Sequence, residues 1–102
     1  MIVIGIPTYN ESDNISILTR KIDSVANNIG LEVIIVNADS ASTDDTANTF
    51  MSTPTKSKKV SIQNGMKGKG RNIYSILHYT ADSKDTEGCV LIDGDITSFD
   101  ES

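Results

Sequence analysis

Glu32-Val33-Ile34-Ile35-Val36-Asn37 carries four aliphatic residues in a row with no polar alternation. A strand with one wet face alternates, so an unbroken apolar run needs cover on both faces, the situation of a parallel strand between helix layers. Val90-Leu91-Ile92 reads the same way, and the apolar run Met1-Ile2-Val3-Ile4-Gly5-Ile6 ends at Pro7 as a further strand. Lys59-Val60-Ser61-Ile62 alternates and belongs nearer an edge. Strands are therefore expected over residues 2–6, 32–37, 58–62 and 88–92.

Helical spacing fills the gaps between them. Ile15, Leu18, Ile22, Val25 and Ile29 recur every three or four residues, and Gly30 follows as a stop. Ser42 or Thr43 can cap a shorter helix carrying Ala47, Phe50 and Met51, with Pro54 just beyond it. A third helix begins near Lys69 and carries Ile73, Ile76 and Leu77. Four strands alternating with three helices predict an α/β fold with a mostly parallel sheet and right-handed crossovers. In such sheets ligands bind at the carboxyl ends of the strands.

A chain of 102 residues forms one domain. No apolar run approaches the roughly 18 residues needed to cross a bilayer, and the N-terminal run is too short for a signal peptide. Cys89 is the single cysteine, which rules out an internal disulfide and a cysteine-rich zinc cluster and fits a reducing, cytoplasmic compartment. A net charge of −5 argues against general affinity for nucleic acid. The charges are uneven: six of nine Lys and Arg lie from Lys56 to Arg71, and seven of fourteen acidic residues from Asp82 to Glu101. The two stretches are expected to converge on one charged ligand and its metal.

The chemistry-bearing segments all follow strands. They are Pro7-Thr8-Tyr9-Asn10-Glu11, Asp39-Ser40-Ala41-Ser42-Thr43-Asp44 and Asp93-Gly94-Asp95, and they should share one rim. Asp93 and Asp95 flank a glycine, so a turn there lets one carboxylate meet a hard cation, Mg²⁺ or Mn²⁺, while a diphosphate supplies further oxygens. An ordinary Asp-Gly turn is the plain alternative. Gly65-Met66-Lys67-Gly68-Lys69-Gly70-Arg71 leads into the third helix, whose N-terminus suits a phosphate. It is not a Walker loop, since Arg71 and Asn72 follow the last glycine, and the glycines of a dinucleotide fold are missing after strand one. Asp44 and Asp45 read as first-turn helix charge, Asn10 and Ser12 as turn or capping residues, His78 as surface and Cys89 as packing.

Taken together, Ile4-Gly5-Ile6-Pro7-Thr8-Tyr9-Asn10-Glu11, Asp39-Ser40-Ala41-Ser42-Thr43-Asp44, Gly68-Lys69-Gly70 and Asp93-Gly94-Asp95 resemble the family 2-like glycosyltransferases of the GT-A fold, a Rossmann-like sheet. The resemblance spans nearly the whole chain. It implies a donor that is a nucleoside diphosphate sugar, commonly of uracil. Pro7, Thr8 and Tyr9 would sit by the base, Glu11 by the base or ribose, Asp39 on the base, with Ser40 beside it. Lys69 would lie near the diphosphate or ribose, Asp93 near the ribose or sugar, and Asp95 on the metal.

The usual Asp-Asp-Gly-Ser of the family is Asp39-Ser40-Ala41-Ser42 here, without the second acid and the glycine. The Gly-Lys-Gly and Asp-x-Asp pairing also looks like the retaining branch that makes glucosyl-phosphoglycerate or mannosylglycerate. In the family the acceptor-binding region, and the base of inverting members, follow the Asp-x-Asp motif. Residues 1–102 are therefore expected to be the nucleotide-sugar-binding part of a truncated GT-A domain that holds no catalytic residue and does not transfer sugar alone. The acceptor is open, as is a homo-oligomer. Two alternatives stand beside this reading: a sugar-phosphate nucleotidylyltransferase, which needs a glycine- and arginine-rich loop after strand one, and a degenerate nucleotide-binding or interaction domain.

Overall fold

The structure is a computed structural model that describes residues 1–65 and 68–94, and of Lys69 the backbone. Its elements run β1 (Ile2–Thr8), α1 (Ser12–Asn28), β2 (Val33–Ser40), α2 (Thr46–Ser52), β3 (Lys58–Asn64), α3 (Lys69–Asp82) and β4 (Gly88–Leu91). The strands form one sheet in the order β3-β2-β1-β4, and all three pairings are parallel. The arrangement is the expected α/β, Rossmann-like one, with a sheet that is parallel throughout.

β2 is buried along its entire length, which is why its aliphatic run shows no alternation. On one face, Ile4, Ile6, Ile35 and Phe50 pack with Ile15, Leu18 and Ile22 of α1; on the other, Val3, Val36 and Ala38 pack with Ile76 of α3. α1 stops as expected: Gly30 follows it at φ 70°, and the Leu31 N–H reaches back to the Ala26 carbonyl at 2.8 Å.

Several expectations need correction. β4 is an edge strand, not a covered one, and Val90 and Leu91 are exposed. β3 forms the other edge, as its alternation predicted. The stripe of α1 is narrower than its periodicity: Val25 and Ile29 are 51% and 68% exposed, and they line a shallow apolar cleft with Ile4, Val33 and Ile92. On α3 the inward positions are Asn72 and Ile76, four apart, while Leu77 is exposed. Met51 of α2 is also exposed.

Within the basic stretch, Lys58 and Lys59 do not join the rim. Lys58 opens β3, so it lies at the end of the sheet opposite the carboxyl rim, roughly 20 Å away at the rise of a strand. Lys59 caps α2 instead, its Nζ donating to the carbonyls of Phe50 at 2.9 Å, Met51 at 2.8 Å and Thr53. Among the described residues, no helix is long and apolar enough to cross a membrane.

Candidate functional site

β1 and β2 run further toward the rim than their aliphatic residues alone indicate. Thr8 and Asp39 are register partners at the strand ends, each 4% exposed. Polar side chains extend a buried strand at low cost when they bond to one another, and here they do so except at Asn37 Oδ1, which is buried without a partner. Asn37 Nδ2 donates to the Ile6 carbonyl and to Thr8 Oγ1, both at 2.9 Å. Thr8 Oγ1 donates in turn to Asp39 Oδ1 at 2.7 Å. Ser42 completes the cradle, its hydroxyl donating to Asp39 Oδ1 at 2.5 Å and its backbone N–H to Oδ2 at 3.1 Å.

The loops after β1 and β2 are stapled together. Asn10 Oδ1 accepts the Thr43 N–H at 2.9 Å, and the Asn10 N–H donates to Ser42 Oγ at 2.9 Å. In the other direction Asp44 Oδ2 accepts the Ser12 N–H at 3.2 Å, and Thr46 Oγ1 accepts the Glu11 N–H at 2.9 Å. These two contacts satisfy N–H groups at the start of α1, whose N-cap, Glu11, makes no side-chain cap bond of its own. Ser42 and Thr43 therefore do not cap α2; Asp45 occupies that position. Asp44 is more than helix-end charge. Burial pushes its carboxyl up, but hydrogen bonds from Thr46 and Ser12 outweigh that and hold it below its ordinary 3.8.

Among the described residues, Asn10 and Ala41 are the non-glycine residues with positive φ, at 54° and 50°. Asparagine tolerates that region, whereas alanine is strained there. Ala41 thus holds this turn in a left-handed conformation that glycine would adopt without strain.

α3 joins the rim through Asn72, which is 1% exposed. Its Nδ2 donates to the Thr8 carbonyl at 3.2 Å and to Ser40 Oγ, and its Oδ1 accepts from Asn64 Nδ2 at 2.6 Å. Ser40 Oγ in turn donates to the Gly68 carbonyl at 3.3 Å. Gly68 precedes α3 at φ 151° and ψ 112°, a conformation that only glycine adopts freely. Gly-Lys-Gly is thereby seated against the ends of β1 and β2, while the Lys69 side chain lies outside the described residues.

The turn after β4 closes on the same place. The Ile92 N–H donates to the Gly5 carbonyl at 2.9 Å, continuing the pairing past the strand. A Cβ added at Gly94 would stand 2.6 Å from Thr8 Cγ2, 3.0 Å from the Pro7 carbonyl oxygen and 3.4 Å from Glu11 Cγ. Glycine is needed there for close approach. Asp93, next to it, is exposed. Asp95 lies outside the described residues.

The structure thus brings Pro7, Thr8, Glu11, Asp39, Ser40, Gly68 and Gly94 together at the carboxyl end of the sheet. Tyr9, at the same loop, is 36% exposed. A polar cleft of about 140 Å³ opens alongside, lined by Asp39, Ser42, Asp44, Asp45, Asn48 and Gln63, with Ala47. His78 is at the surface, paired with Asp82 at 3.2 Å, and Cys89 packs under the α3 face. Among the described residues, no group of three or more His, Cys, Asp or Glu side chains gathers to hold a metal ion.

Asn37, Asn64 and Asn72 were not singled out by sequence. The available signals were a polar residue ending the β2 aliphatic run, and Asn72 four positions before Ile76 on the inward stripe of α3.

Among curated proteins none matches the chain. The family model described as Glycosyl transferase family 2 matches residues 3–98, which take in β1 from its second residue, every later strand and helix described above, and the rim loops. The chain therefore belongs to glycosyl transferase family 2, a family of enzymes that transfer glycosyl groups.

Proposed function

We propose that the rim binds a nucleoside diphosphate sugar, a UDP-sugar in the first instance, for transfer of its sugar to an acceptor. The observation that carries this reading is the convergence of the β1, β2, α3 and β4 termini on Thr8, at the edge where an open parallel sheet takes its ligand. Tyr9 and the Pro7-Thr8 backbone border the base. Asp39, with Ser40 beneath it, sets the floor on the base side, and Glu11 faces the base or ribose.

Lys69 enters at the N-terminus of a fourteen-residue helix, where the dipole and a cation both favour a diphosphate. Asp93 contacts the ribose or sugar. The donors at this edge are carboxylate and hydroxyl oxygens, which fit Mg²⁺ or Mn²⁺, and Asp95 is the ligand assigned to it. When bound, such a cation supplies charge stabilisation to the departing nucleoside diphosphate. Within the family, the Gly68-Lys69-Gly70 and Asp93-Gly94-Asp95 pairing supports the branch that glycosylates glycerate or phosphoglycerate.

The test is thermal unfolding of the full chain with UDP, GDP and their sugars, with and without Mn²⁺. A ligand at about a hundred times its Kd stabilises the native state by about 2.7 kcal/mol, a readily measured rise in melting temperature. The expected result is a rise that depends on Mn²⁺ and is lost in Asp95→Asn. Absence of any metal-dependent rise, or an Asp95→Asn response equal to that of the parent, rules the reading out.

A further inference from the structure

We propose that the side chain of Thr8 is a positioning group that registers the base-side and diphosphate-side halves of the site, acting through Asp39 and Gly94 without itself touching the nucleotide. The proposal rests on the nucleotide-sugar reading above.

Each part of Thr8 meets a different element. Its hydroxyl accepts from Asn37 Nδ2 at 2.9 Å and donates to Asp39 Oδ1 at 2.7 Å. A threonine hydroxyl has a single proton. Because Asn37 Nδ2 is a donor, that proton is left for Asp39, and the carboxylate is held in one orientation. The Thr8 carbonyl accepts from Asn72 Nδ2 at 3.2 Å, on the first turn of α3 beside Gly68-Lys69-Gly70. Its methyl, Cγ2, lies so close to Gly94 that a Cβ there would be 2.6 Å away. With 4% of its surface exposed, Thr8 has little to offer a ligand directly. Asp39 and Asp93-Gly94 come from strands on opposite sides of β1, so β1 is the element that can transmit a shift between them.

The two ends of the side chain can be removed separately. Thr8→Val deletes the hydroxyl and keeps a methyl against Gly94; Thr8→Ser keeps the hydroxyl and deletes that methyl. UDP affinity of the full chain is measured by titration calorimetry, with Mn²⁺ and with chelator. For Thr8→Val the expected result is a loss of about tenfold in both conditions, the worth of one hydrogen bond to a charged group. For Thr8→Ser, affinity in chelator is unchanged and the Mn²⁺-dependent enhancement falls about threefold or more.

Gly94→Ala supplies a ligand-independent arm in urea unfolding. Its destabilisation should be smaller in the Thr8→Ser background than in the parent, because the methyl it strikes is gone. This arm also decides the matter if Thr8→Val does not fold.

If the parent binds UDP with Mn²⁺ dependence but both Thr8 variants lose the same affinity in both conditions, or lose none, the positioning role is overturned and the nucleotide reading stands. An equal Gly94→Ala effect in both backgrounds overturns it as well. A parent that shows no Mn²⁺-dependent UDP binding overturns both.

Discussion

Asn10 Oδ1 accepts the backbone N–H of Thr43 at 2.9 Å, locking the loop after β1 to the loop after β2 across 33 positions of sequence. Ser42, Asp44 and Thr46 answer with acceptors for the N–H groups of Asn10, Ser12 and Glu11. The two loops hold each other in place, and neither is positioned by its own strand alone.

That mutual hold makes Asn10 separable into a conformational and a hydrogen-bonding part. Asn10→Gly keeps the φ of 54° available and removes only the side-chain acceptor; it should cost about 1 kcal/mol in urea unfolding. Asn10→Ala loses the acceptor and adds left-handed strain, for a total of about 2 kcal/mol. Equal stability of the two variants would show that the backbone there is not left-handed.

Ala41 offers the opposite case. At φ 50° an alanine is strained where a glycine is not. Ala41→Gly should raise stability by about 0.5–1 kcal/mol, the strain relieved less the extra freedom glycine brings to the unfolded chain. A loss of stability measured by chemical unfolding would contradict the turn described.

Asp44 ties the stapled loops to pH. Its folded pKa lies below the ordinary 3.8, since hydrogen bonds from Thr46 and Ser12 outweigh burial. A depressed folded pKa means a contribution present above 3.8 that is lost as pH falls through the folded value. Parent and Asp44→Asn should therefore differ in unfolding free energy at neutral pH and converge in the acid range below 3.8. The difference is small, because the group is exposed and solvent screens it. A gap that is constant across the acid range would exclude the carboxylate as its source.

Asn72 is the member of the polar lock with no slack. Asn72→Ala leaves the Thr8 carbonyl, Ser40 and Asn64 short of a partner in a buried site. Destabilisation of about 2–3 kcal/mol is expected, and it should show as a shift of the urea midpoint with an unchanged slope. A cost within a few tenths of a kcal/mol would mean that water replaces the amide.

The α/β architecture was legible in the sequence because it rests on local pattern. The unbroken run from Val33 to Val36, the Ile15-Leu18-Ile22 spacing and the position of Gly30 each act within a few residues, and crossover length does the rest. The alternation of Val60 and Ile62 correctly put β3 at an edge, but Val90-Leu91-Ile92 misled, since an aliphatic run reports what a strand can bury and not what neighbours it has. The rim loops were legible as a set, through the residue types that follow each strand. Their connections were not. Thr8 with Asp39, Asn10 with Thr43 and Asn72 with Thr8 are separated by 31, 33 and 64 positions. A hydrogen bond depends on ångström distances and donor direction, which exist only once the sheet has brought β1, β2 and α3 side by side. Hydrophobic periodicity thus determined the elements and their layers, while tertiary packing alone decided that Thr8 stands between Asp39 and Gly94.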